Sequence, residues 1–68
     1  MQLSTRNQLP GKVTDVKLGT IMSEISVELS GGETIVAAIT RASAEQLSLG
    51  PGDAVTVLIK ATEVMLGK

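Results

Sequence analysis

The residues of this chain best suited to chemistry are donors of hydrogen bonds and of positive charge. Arg6 sits in Ser4-Thr5-Arg6-Asn7, a tetrapeptide made entirely of side-chain donors. Thr40 and Ser43 stand at the start of a helix-prone stretch, where free backbone N–H groups and the helix dipole favour an anion. Lys60 closes the most apolar run of the chain, Ala54-Val55-Thr56-Val57-Leu58-Ile59, and is followed by Ala61 and Thr62. None of these donors has a carboxylate directly beside it. A tetrahedral oxyanion that is ionised at neutral pH only accepts hydrogen bonds, so a pocket for one is built from donors. A guanidinium fork and an ammonium supply charge, while hydroxyls and amides fill the remaining directions. Each residue also has an ordinary explanation. Thr40 serves as a plain helix cap, Ser43 as a solvated first-turn residue, Arg6 as a surface residue of an N-terminal arm, and Lys60 as a side chain snorkelling from a strand end. The anion reading rests on their joint occurrence.

Other chemistries have less to work with. The 68 residues include no His and no Cys, which excludes zinc ribbons, disulfide frameworks, haem ligation and thiol or imidazole catalysis. No nucleophile elbow, phosphate-binding P-loop or EF-hand loop occurs. Glu24 and Glu28, or Glu33, are the only carboxylates placed for acid–base work, and on an alternating strand the first two share a solvated face. The chain therefore reads as a binding protein and not as an enzyme. Nor is nucleic acid an expected partner. There is no Phe, Trp or Tyr on which bases could stack, and six basic against seven acidic residues leave a net charge of −1.

The elements that must position the donors are mostly strands. Pro10-Gly11 precedes a β-branched run at 12–17, which breaks at Gly19. Over 21–29 the pattern alternates, with Ile21, Ser23, Ile25, Val27 and Leu29 on one face and Met22, Glu24, Ser26 and Glu28 on the other, the period of a half-buried antiparallel strand. Ser30-Gly31-Gly32 supplies a hairpin turn into a strand at 34–39. Thr40 then caps a short helix over 41–47, with Ser43 at its third position. A loop through Gly50-Pro51-Gly52 leads to the strand at 54–59, and 62–66 reads as a last edge strand. This order is that of a small five-stranded, OB-like Greek-key barrel with one short helix, an all-β fold.

Such a chain has a thin core. Domains this short bury only about 60% of their unfolded surface, and the aromatics that normally supply the largest buried areas are absent. With disulfides impossible, oligomerisation is the expected remedy. No stretch approaches the ~20 apolar residues of a membrane span, and the N-terminus lacks the pattern of a secretory leader. A free-standing cytoplasmic module over residues 1–68, with no membrane contact, is expected.

The same residues carry a resemblance. Ser4-x-Arg6-Asn7-x-Leu9-x-Gly11-x-Val13, Lys17-x-Gly19, Ser23-Glu24-Ile25 and Gly31-Gly32 resemble the molbindin (Mop-like) family, part of the TOBE group of molybdate-binding domains. The likeness continues through Ala38-Ile39-Thr40-x-x-Ser43, Leu49-x-x-Gly52, Val57-x-Ile59-Lys60 and Val64-Met65. It implies an OB-like barrel assembled as a hexamer, a trimer of dimers, that binds molybdate or tungstate between subunits and uses no organic cofactor. By resemblance, Ser4, Arg6 and Lys60, with the N–H of Ala61, hold the oxyanion, and Thr40 and Ser43 of a neighbouring subunit complete the site. No side chain ligates the metal directly. A second oxyanion site near the symmetry axis maps to Lys17, Gly19 and Thr20. Two positions depart from the family pattern. Ala61 stands where many relatives carry Ser, and Thr5 replaces a commoner Ala, adding a hydroxyl whose direction the sequence does not give. The implied role is storage or homeostasis of the oxyanion. The alternative is an OB-type module that binds nucleic acid or protein, or a purely structural oligomerising domain.

Overall fold

The computed structural model describes residues 4–68. The first three residues of the expected 1–68 domain, and of the stretch read as lacking a leader, lie outside it. Four strands form one antiparallel sheet: β1 (Asn7–Leu18), β2 (Met22–Leu29), β3 (Thr34–Thr40) and β4 (Ala54–Ile59), in the order β3-β2-β1-β4. Helix α1 (Arg41–Gln46) lies between β3 and β4 in the chain.

The sheet curls because β1 changes partners along its length. Residues 7–12 pair with β4 and residues 11–18 with β2, so only Gly11 and Lys12 are paired on both sides. Pro10-Gly11 was expected to precede the strand, yet β1 runs straight through it. Pro10 is opposite Thr56 of β4 but lies just beyond the β1–β2 ladder, so on that side its missing N–H breaks no ladder bond. At the corner itself, the register slips between Val13 and Asp15, leaving Thr14 as a bulge that sharpens the bend. The Thr14 hydroxyl donates to the Ser26 carbonyl at 3.3 Å. Val13 satisfies its own backbone outside the ladders, with its N–H on the Asp53 carbonyl (2.9 Å) and its carbonyl accepting from Gly52 (2.8 Å). Gly52 has φ +93°, following Pro51 in a tight turn that only glycine makes without strain.

Burial follows the alternation of β2. Ser23, Ile25 and Val27 face inward, while Met22, Glu24 and Glu28 are exposed. Ile21, expected on the inner face, lies in the preceding turn and is exposed, because β2 begins at Met22. The hairpin turn forms as expected, with Gly32 at φ +93° donating to the Leu29 carbonyl. The core is as thin as the composition implied: Val13, Ile25, Val27 and Ala44 are buried, and Val16, Ala37, Ile39, Leu49, Val55 and Val57 pack partly against them.

The fold departs from the expected five strands. Among the described residues the sheet has four strands and forms a half-barrel, because 62–66 is not a strand. Ala61–Glu63 instead make a single 3-10 turn, closed by the Glu63 N–H on the Lys60 carbonyl at 2.9 Å. That turn takes the chain off the line of β4, and Met65 and Leu66 end 92% and 94% exposed without a ladder partner.

Two substitutions test the packing at the corner and under the helix. A Cβ on Gly11 would stand 2.6 Å from Val27 Cγ1 and 2.9 Å from the Glu28 carbonyl oxygen. Gly11→Ala is therefore expected to cost about 2 kcal/mol in urea unfolding; an unchanged midpoint would mean that the corner is looser than described. Ser23 is 3% exposed, and its hydroxyl has no hydrogen-bond partner among the described residues. Ser23→Ala removes an unsatisfied buried group and is expected to raise stability by about 1 kcal/mol, whereas a fall would reveal a partner for that hydroxyl.

Candidate oxyanion site

The pairing of β1 with β4 brings together two ends of the chain that are far apart in sequence. Asn7 opposes Ile59, so the arm formed by residues 4–6 leaves the sheet next to Lys60. Ser4, Thr5 and Arg6 line one side of an open groove of about 500 Å³, and Lys60, Ala61 and Thr62 line the other, with Leu58 as the apolar wall. The groove holds two cationic side chains and no carboxylate. Neither Arg6 nor Lys60 is in a salt bridge; among the described residues the one such pair joins Arg41 to Glu45, one helical turn apart at 2.6 Å. Arg6 and Lys60 are both exposed to solvent.

The backbone at the groove is fixed by side chains. The Thr5 hydroxyl and the Asn7 amide both donate to the Ile59 carbonyl, each at 3.0 Å. A carbonyl oxygen has two lone pairs, so it accepts both. The Gln8 amide donates to the Thr5 carbonyl at 2.8 Å. The structure thus supplies what the sequence left open at position 5: the added hydroxyl turns onto the end of β4. Asn7 and Leu58 were not among the candidate residues. The signal available for Asn7 was its place two residues after Thr5, which on an extended chain puts both side chains on one side.

Thr40 and Ser43 are not in this groove. Thr40 pairs with Met22, at the end of β1–β2 where Leu18 opposes Ser23. Thr40, at the end of the opposite edge strand β3, and Ser43, in the helix that follows it, are therefore at the opposite end of β1 from Arg6 and Lys60. Locally they do what the spacing predicts. Thr40 caps α1, accepting from the Ser43 N–H at 3.0 Å and donating its own hydroxyl to Ser43 Oγ at 2.8 Å. Gly19 and Lys17 line a separate hollow with Met22, Glu24, Val36 and Ala38, and Thr20 is not part of its lining. Lys17 lies opposite Glu24 in the ladder, so a carboxylate offsets its charge there. Arg41 ties the helix start to this turn, through its N–H on the Ile21 carbonyl at 2.7 Å and its guanidinium on the Gly19 carbonyl at 3.5 Å.

No cluster of three or more Asp or Glu side chains that could hold a cation is found among the described residues. No described helix is long and apolar enough to cross a membrane.

Known proteins share both the sequence and the shape. The TOBE domain model matches residues 3–66. Molybdenum-pterin-binding protein 1 of Clostridium pasteurianum is 42% identical over 66 residues, covering 97% of each chain. The high-resolution structure of a molybdate-binding protein from Sporomusa ovata superposes with a TM-score of 0.94 at 44% identity, over the full length of both chains. The cytoplasmic molybdate-binding protein ModG, with molybdate bound, matches at a TM-score of 0.87 and 36% identity, covering 90% of this chain and 43% of its own. With a curled antiparallel sheet, one short helix and this degree of identity over nearly its whole length, the chain belongs to the TOBE domain family, in its Mop-like (molbindin) branch.

Proposed function

We propose that this chain binds molybdate or tungstate as the intact tetrahedral dianion, and that it stores or buffers the ion in the cytoplasm without a chemical step. The observation that carries this reading is the convergence of Arg6 and Lys60, with the Ser4 hydroxyl, on one groove that has no carboxylate in its lining. A dianion in that groove neutralises two cations that otherwise repel each other. Charge-assisted hydrogen bonds from a guanidinium and an ammonium are worth about 1.5–3 kcal/mol each. Ser4 and Ala61 line the same groove and offer a hydroxyl and a backbone N–H as two further donors. No protein atom need displace an oxygen from the metal, so the absence of His and Cys is no obstacle. The names of the relatives support the same ligand class.

One chain offers only part of such a site. In this reading the domain spans residues 1–68 and assembles as a homo-oligomer, a hexamer built as a trimer of dimers, in which Thr40 and Ser43 of a neighbouring copy close the groove. Their position at the far corner of the sheet supports this, since they are too distant along β1 to serve the groove of their own chain. Exposed apolar side chains at Leu47, Leu58, Val64, Met65 and Leu66 give neighbouring copies surface to bury. A site completed by assembly also links ligand to oligomer, because a ligand that binds only the assembled state stabilises it by mass action. The turn at Lys17, Gly19 and Thr20 is the second and weaker oxyanion site of this reading, since Glu24 stands opposite Lys17 there.

Calorimetric titration tests the ligand. Molybdate and tungstate are expected to bind, and sulfate, being smaller, to bind more weakly because donors spaced for the larger ion do not all reach it; absence of heat with molybdate removes the proposal. Arg6→Ala and Lys60→Ala are each expected to weaken molybdate at least tenfold, and Thr62→Ala far less. Equal affinities across the three would put the pocket elsewhere. A mixing experiment tests the shared site. Arg6→Ala chains and Thr40→Val/Ser43→Ala chains, each deficient alone, are unfolded together and reassembled. Random pairing then leaves about one groove in four with both halves intact, and binding returns to that fraction. A site contained within one chain recovers nothing.

A further inference from the structure

We propose that Thr5 is a positioning residue of the oxyanion groove: its hydroxyl fastens the N-terminal arm to the end of β4, and so sets the spacing of Arg6 and Lys60 before a ligand arrives. This inference rests on the reading of the groove as the oxyanion site. The ladder between β1 and β4 begins at Asn7 opposite Ile59, so residues 4–6 have no sheet pairing of their own. What holds them is the Thr5 hydroxyl, which donates to the Ile59 carbonyl at 3.0 Å, 54 residues away in sequence and partly shielded from solvent. Thr5 is the residue before Arg6, and Ile59 is the residue before Lys60. The bond therefore joins the two backbones one residue from each charged donor. Asn7 lands on the same carbonyl from within the ladder, and Gln8 holds the Thr5 carbonyl from the other side.

The physical need for such a fastening is plain from the lining. Arg6 and Lys60 face one groove with no carboxylate in it, so in the empty protein their charges repel and push the arm away from β4. An arm free to move would have to be ordered at the moment of binding, which weakens affinity by the entropy lost. With the Thr5 bond in place, that ordering is completed during folding. A fixed arm also sharpens selectivity. Donors held at the spacing of a large oxyanion do not follow a smaller one inward, whereas a loose arm closes on either.

The test is calorimetric titration of the full-length protein with molybdate and with sulfate, alongside thermal unfolding without ligand, for Thr5→Val, Thr5→Ser and Arg6→Ala. Valine keeps the shape of threonine and removes the hydroxyl. Thr5→Val is expected to bind molybdate about fivefold more weakly, the worth of one neutral hydrogen bond, and to show a smaller preference for molybdate over sulfate. Thr5→Ser restores both to within about twofold of the parent. Parental affinity and selectivity in Thr5→Val, with binding lost in Arg6→Ala, overturn the role of Thr5 and leave the site standing. Equal weakening by Val and Ser, or a loss of affinity with selectivity unchanged and unfolding temperature lowered, also overturns it, since size or general stability then accounts for the effect. Parental binding by Arg6→Ala overturns the site and the role of Thr5 with it.

Discussion

β1 has to serve two ladders, and only at Gly11 and Lys12 does it serve both at once. Before that point its partner is β4, and after it the partner is β2. The corner is tight enough that residue 11 has no room for a Cβ beside Val27, and the extra residue Thr14 turns the strand further. Everything that matters for binding is placed by this bend. It folds the sheet over its small aliphatic core, and it carries the start of β1 alongside the end of β4. It also leaves the end of β3, with the cap of α1, at the opposite end of β1 from that groove.

The electrostatics of the two faces differ accordingly. Along the β1–β2 ladder, Lys12 stands opposite Glu28 and Lys17 opposite Glu24, so each lysine there faces a carboxylate. The groove at the end of β4 breaks that rule, with two cations and no acid. Uncompensated like charge is costly in an empty site and favourable in one that receives a dianion, and the surrounding hydrogen bonds onto the Ile59 carbonyl offset part of that cost. Ala61, which has no hydroxyl, and Thr5, which has one, both line this groove.

Much of this was legible in the sequence where the signal is local. The alternation of β2, the Gly31-Gly32 turn, the bounds of β4 and the cap of Thr40 on Ser43 all depend on residues a few positions apart. What the sequence did not reveal depends on distant partners. Pro10 reads as a strand breaker until one knows that the β2 ladder has ended there. Residues 62–66 have the makeup of a strand, but a 3-10 turn after Lys60 diverts them and no strand among the described residues pairs with them. The donor types of the groove were readable as a set. Their division into two groups was implied only by the family resemblance, which gives Thr40 and Ser43 to a neighbouring subunit; local pattern does not carry it, because within one chain it follows from the strand order and the bend. The direction of the Thr5 hydroxyl was not readable either, since its acceptor lies 54 residues away.

The separation of the two donor groups has a consequence for counting. In the proposed assembly each chain carries one copy of each half, so it acts as both plug and socket. A closed ring of n copies then completes n pockets, whereas an open row completes one fewer and ends in two unmatched halves. Capacity per chain is therefore full only in assemblies that close, and the geometry that gives a chain its binding surface also sets a reason for the assembly to have a finite size.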